Sequence, residues 1–144
     1  FIGGTEPGTT FLDCKAKVPK IHYLMIFEGP KPLEELLTEF PEFQFKDGFY
    51  KDPDFTLARF RELIEAIKAK GGFFVHPHPK QVMVSDDPLD YYFGEYTGIE
   101  VLCGYYGNVG VETNQKALKL WTDLLSLGKK VYATSHRATN SPLL

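Results

Sequence analysis

The sharpest pattern in the chain is the recurrence of Leu57, Phe60, Leu63, Ile64 and Ile67 at spacings of three and four, with charged residues between them. It predicts an amphipathic helix opened by Asp52-Pro53 and stopped by Gly71. The helix feeds directly into the apolar strand Phe73-Phe74-Val75. Upstream, Ile21 to Phe27 is almost continuously apolar and reads as one strand covered on both faces. Leu33, Leu36 and Leu37 mark a short helix from Pro32 to Phe40, and Thr9 to Leu12 a short strand. Downstream, Asp86-Asp87-Pro88 starts a short helix to Phe93, and Gly98 to Cys103 is a further strand. A second long helix over Glu112 to Leu127 has Leu118, Trp121, Leu124 and Leu125 as its stripe, and Lys129 to Thr134 is the last strand. Residues 41–52, with a turn at Asp47-Gly48, read as an edge hairpin or a surface loop, and Gln81 to Val84 as extended chain. Helices alternating with buried strands imply an α/β fold of parallel βα units.

Composition narrows the class. A chain of 144 residues with 43% hydrophobic and 24% charged residues fits one globular domain, 1–144. The balance of 19 acidic against 16 basic residues, without a Lys/Arg cluster, argues against a nucleic-acid surface. No apolar run approaches the ~20 residues of a membrane span, and the first residues lack the basic and apolar regions of a signal peptide. Cys14 and Cys103 read as reduced thiols of a cytoplasmic protein, a single disulfide between them being the other reading. Phe1-Ile2-Gly3-Gly4 looks like the tail of a strand entering a turn, so the chain is expected to be the C-terminal part of a larger domain.

The candidate chemistry sits at strand ends. Gly71-Gly72-Phe73-Phe74-Val75-His76-Pro77-His78-Pro79 delivers two imidazoles from a buried strand, and Glu6, His22 and Ser135-His136 fall at the ends of others. A carboxylate with several imidazoles suits Zn²⁺, Mn²⁺ or Fe²⁺, and Asp13 and Glu100 are supplementary carboxylates. Plainer readings stand beside this one: His-Pro-His-Pro as a rigid strand exit, His22 as a satisfied core histidine, and Arg137 as a solvated cation. Asn108 and Asn114 flank the loop after Cys103 and are candidate substrate contacts.

Gly4-Thr5-Glu6, then Ile21-His22-Tyr23-Leu24, then Gly71 to Pro77 resemble, in order, three motifs of the PHP (polymerase and histidinol phosphatase) family. These are its Gly-x-Glu turn, its His-x-Leu strand and its Gly-Gly-apolar-Ala-His-Pro strand. Gly98 to Val101, the Leu118–Leu125 helix and Gly128 to Ala133 resemble the family's strand–helix–strand ending. Two features depart from it. The family's opening His-x-His strand has no counterpart, and its final Ser-Asp-x-His reads Ala133-Thr134-Ser135-His136 here, with Thr134 in place of a metal-binding Asp.

The resemblance implies a partial or distorted (β/α) barrel of the PHP type with mostly parallel strands. It implies a metal-dependent phosphoesterase acting on a small phosphorylated metabolite or nucleotide, with two or three divalent cations (Zn, Mn or Fe) when the site is complete. Glu6, His22 and His76 would be ligands, with His78 a supporting partner or the ligand in place of His76. His136 would be a ligand or the general acid, and Arg137 a phosphate contact. Without the His-x-His strand and the final Asp, activity is expected to be weak or absent. The alternative is a non-catalytic PHP-like module that binds a ligand or protein through aromatic residues 91–93 and 105–106.

Overall fold

The structure, a computed structural model, describes residues 2–13, 20–46, 49–79, 85–95, 97–103 and 107–136. In chain order its elements are β1 (Ile2–Thr5), β2 (Gly8–Phe11), β3 (Lys20–His22), β4 (Leu24–Glu28), α1 (Lys31–Glu39), β5 (Gln44–Lys46), β6 (Phe49–Lys51) and β7 (Asp54–Phe55). There follow α2 (Leu57–Ala69), β8 (Phe73–His76), a 3-10 turn (Pro88–Tyr91), β9 (Thr97–Cys103), α3 (Gly107–Ser126) and β10 (Tyr132–His136). The main sheet has the order β1-β4-β8-β9-β10; β3-β2-β7 form a second sheet, and β5-β6 a hairpin.

The fold is α/β, but its sheets are mixed. β8, β9 and β10 run parallel, whereas β4 is antiparallel to both β1 and β8. The expectation of mostly parallel strands is corrected here for a topological reason. A parallel pair needs one crossover, and α3 supplies it between β9 and β10. Between β4 and β8 come α1, the β5–β6 hairpin, β7 and α2, and the chain re-enters the main sheet from the opposite end. Among the described residues no barrel closes, because β1 and β10 are the two edges of the main sheet.

The continuous strand expected over 21–27 is two strands in different sheets. The division falls at Tyr23: its backbone N–H donates to Pro7 O at 3.1 Å, in register with the pairing of β3 on β2, and from Leu24 on β4 belongs to the main sheet. α2 begins later than Asp52-Pro53 suggests: Asp54–Phe55 pairs with β2, and the Thr56 hydroxyl caps the helix by accepting from Arg59 N. On α3 the inward stripe is Ala117, Leu120 and Leu124, with Trp121 half-buried, and Leu118 and Leu125 face outward. The turn at Asp47-Gly48, the segment 81–84 and Cys14 lie outside the described residues.

The core is largely aromatic. Phe60 on α2 meets Phe11, Tyr23, Phe74 and Phe93 edge-on, with ring centroids 5.1 to 5.7 Å apart. The joint between α2 and β8 uses each glycine of a pair differently. Gly71, at φ +71°, ends the helix in the left-handed conformation, with its N–H on Lys68 O and that of Gly72 on Ile67 O. Gly72 makes room: a Cβ there would stand 2.3 Å from Phe27 Cε1. The stop fixes where β8 starts, and hence where its C-terminal histidines emerge.

Candidate metal centre

Strand directions bring the candidate residues to one edge of the main sheet. β1, β8, β9 and β10 all end at that edge, and β4, running the other way, begins there, with Thr5 opposite Met25 and Leu24 opposite Val75. Glu6 follows β1, His22 precedes β4, His78 follows β8, and His136 closes β10 opposite Cys103. The mixed topology therefore gathers residues far apart in sequence as a parallel barrel would.

Glu6, His22 and His78 meet at this edge. His22 Nδ1 lies 3.2 Å from His78 Nε2, and Glu6 Oε1 lies 3.6 Å from each of these nitrogens. A point equidistant from the three atoms is about 2.0 Å from each, which matches ordinary Zn–N and Zn–O bond lengths. The donor set fits a borderline-soft divalent cation. Glu6 and His22 have side chains 37% and 43% exposed and leave the site open on their side, whereas His78, at 10%, closes the other.

His78 is held from behind. Its backbone N–H donates to Glu100 Oε2 at 2.6 Å, and the same oxygen faces His78 Nδ1 at 3.5 Å. Glu100 is itself buried on β9.

His76 is turned into the core, outside the group of three. It follows Phe74 by two residues, and the pleat of a strand puts such positions on one face. Its ring packs on Tyr91 and Phe93, with centroids 6.2 and 6.0 Å away, and neither ring nitrogen has a hydrogen-bond partner among the described residues. Burial first, then the imidazoles of His78 and His22, push its pKa down to about 3, Glu100 opposing, so the ring is neutral near pH 7. Period-2 spacing alone does not distinguish the two histidines, since 74, 76 and 78 share a parity; β8 ends at His76, and the positive φ of His78 takes its ring off the strand's inward face.

The remaining candidates have other placements. Asp13 accepts from Leu57 N through both carboxylate oxygens, at 3.0 and 3.2 Å, and so holds the start of α2. Asn114 is engaged with the backbone of Cys103, accepting from its N–H at 2.9 Å and donating to its carbonyl at 3.2 Å. Thr134 lies opposite Glu100 in the register of β10 on β9. Arg137 and the side chains of Asn108 and His136 lie outside what is described. The Glu100–His78 bond escaped sequence reasoning, because the two residues are 22 positions apart and no local motif links them.

Compared with known proteins, the chain matches no family model and no curated protein. None of the helices in the described residues is long and apolar enough to cross a membrane.

Proposed function

We propose that the chain is the metal-binding part of a phosphoesterase of the PHP type, acting on a small phosphorylated metabolite or nucleotide. The observation that carries this reading is the meeting of Glu6 Oε1, His22 Nδ1 and His78 Nε2 at cation-binding distances. A distorted, open form of the PHP barrel accords with the α/β sheet and its single functional edge. A divalent cation (Zn, Mn or Fe) bound there would polarise a phosphoryl oxygen and lower the pKa of a bound water.

The chain's own residues divide the remaining work. The imidazole nitrogens of His22 and His78 offer lone pairs to a cation, and the Glu6 carboxylate supplies negative charge beside them. The exposed Glu6–His22 side is where a phosphate would approach, while buried Glu100 and the packed His76 keep water from behind His78. His136, at the end of β10 on the same edge, is the proposed donor to the leaving oxygen or a further ligand, and Arg137 the proposed phosphate contact. Further cations would need carboxylates beyond this set, and Thr134 stands where the resemblance puts one, so turnover should be slow. A cytoplasmic setting accords with the burial of Cys103.

The second reading, a non-catalytic binding module, rests on a different surface from the one its sequence suggested. Tyr91 and Phe93 are buried and so are not available for docking, Tyr92 is half-buried, and residues 105–106 lie outside the described set. What favours it is a groove of about 390 Å³ between β9 and α3, lined by Val101, Leu102, Val111, Asn114, Gln115 and Leu118. One experiment separates the two: metal analysis of the purified protein together with hydrolysis of an aryl phosphate with added Mn²⁺. At least one equivalent of metal and Mn²⁺-dependent turnover lost in His22→Ala supports the enzyme. Bound metal without turnover favours the module, and no metal removes the phosphoesterase reading.

A further inference from the structure

We propose that Glu100 is a positioning residue that fixes His78 as the Nδ1–H tautomer, so that the Nε2 lone pair points at Glu6 and His22. The proposal rests on the metal-centre reading above and adds to it the question of what aims the imidazole.

Three observations converge. The first is the bond itself: Glu100 Oε2 accepts the His78 backbone N–H at 2.6 Å and faces Nδ1 at 3.5 Å, so one oxygen restrains both main chain and ring. A carboxylate cannot donate when ionised, so the ring nitrogen turned toward it is the one that carries hydrogen, and Nε2 is left with its lone pair. The second is where that lone pair goes. Nε2 is the His78 atom 3.2 Å from His22 Nδ1 and 3.6 Å from Glu6 Oε1.

The third is the backbone. His78 has φ +33°, the one positive value among the described non-glycine residues. Such a conformation is strained for a residue with a side chain and persists only where its surroundings enforce it. Pro77 and Pro79 stiffen the chain on either side, and Glu100 takes the N–H that this conformation turns inward. Glu100 sits on β9, which pairs directly with β8, His76 being opposite Ile99. The sheet register therefore carries the restraint to the ligand. In the same register His76, without such a partner, is packed among aromatic rings.

The direct test is the long-range ¹⁵N spectrum of the histidine rings in metal-free protein at about pH 8, where an imidazole is neutral. Wild type should show His78 as the Nδ1–H tautomer, assigned by its disappearance in His78→Gln, and Glu100→Gln should shift it toward the Nε2–H form. A wild-type His78 in the Nε2–H form, or a tautomer unmoved by Glu100→Gln, overturns the proposal. Because the wild-type spectrum needs no Glu100 variant, misfolding of Glu100→Gln does not leave the question open. Zn²⁺ titration supplies the second arm: Glu100→Gln should bind about 10–100-fold more weakly than wild type. Equal affinity in the two proteins counts against the proposal. If wild type bound no Zn²⁺ while the tautomer behaved as expected, the metal-centre reading would fail and Glu100's hold on His78 would stand.

Discussion

His22 Nδ1, at the end of β3, and His78 Nε2, two residues past β8 of the other sheet, face each other across 3.2 Å. Two imidazole lone pairs cannot share that space without something positive between them. Either one nitrogen carries a proton or both address a cation, and Glu6 Oε1 at 3.6 Å from each is the group that makes the second arrangement favourable. Glu6 is exposed, and the contacts of its carboxylate among the described residues are to His22 and His78, so its replacement should touch the site and little else. Glu6→Gln is expected to weaken Zn²⁺ or Mn²⁺ binding at least ~10-fold while shifting the metal-free melting temperature by no more than about 2 °C. Calorimetric titration with thermal melts in chelator reads both quantities. A large loss of stability would instead assign Glu6 to the fold.

The pH dependence of stability should carry the mark of His76. Its folded pKa is depressed from 6.5 to about 3, so the unfolded chain takes up a proton first. The contribution is therefore intact above pH 6.5 and is lost as the pH falls from there toward 3, by about 2 kcal/mol at pH 5. His76→Leu, similar in volume and without a titrating group, should lack this part of the acid slope. Urea unfolding in chelator across this window checks it, and parallel pH profiles for the two proteins would refute it.

At the joint between α2 and β8, Gly72 is argued from space and Gly71 from conformation. Gly72→Ala would place a methyl 2.3 Å from Phe27 Cε1 and 3.0 Å from Ile67 Cγ2, and overpacking of this kind costs about 1–3 kcal/mol. Gly71→Ala meets nothing but must hold φ +71°, a strain of about 1 kcal/mol. The two separate in a Phe27→Leu background, where the cost of Gly72→Ala should shrink while that of Gly71→Ala should not. Denaturant midpoints of Phe27→Leu, the two glycine variants and the two double variants measure this.

Arg59 fastens the start of α2 to the end of α1. Its Nε donates to Glu42 Oε1 at 2.7 Å and Nη1 to Glu62 Oε2 at 2.8 Å, and the guanidinium lies 4.1 Å from the centre of the Phe40 ring. The Arg59 hydrogen bond holds the Glu42 carboxyl below its usual range. Arg59→Met should keep the packing of the stem and lose the charge, lowering stability by about 1 kcal/mol, less at high salt. A salt-independent loss would point to packing alone.

What could be read along the chain was what repeats locally. The stripe of α2, its glycine stop and the start of β8 follow from spacing, and Phe60, Leu63, Ile64 and Ile67 are buried as that spacing implies. The break at Tyr23 was not legible, because an apolar run carries no mark of the sheet each part joins; the partners, β2 for one part and β1 and β8 for the other, are distant in sequence. Strand direction was not legible for the same reason: both helices between residues 27 and 73 follow from spacing, but which end of the sheet the chain re-enters beside β4 has no local mark. At the site, Glu6, His22 and the His76/His78 pair stood out as strand-end residues. The role of Glu100 depended on a register that only the paired strands define.

The central claim, a cation site built by Glu6, His22 and His78, is tested most directly by metal content and affinity after gel filtration. Wild type should bind at least one equivalent of Zn²⁺, Mn²⁺ or Fe²⁺, and His22→Ala and His78→Ala should each bind at least ~10-fold more weakly. Less than one equivalent in wild type, or unchanged affinity in both variants, would contradict it.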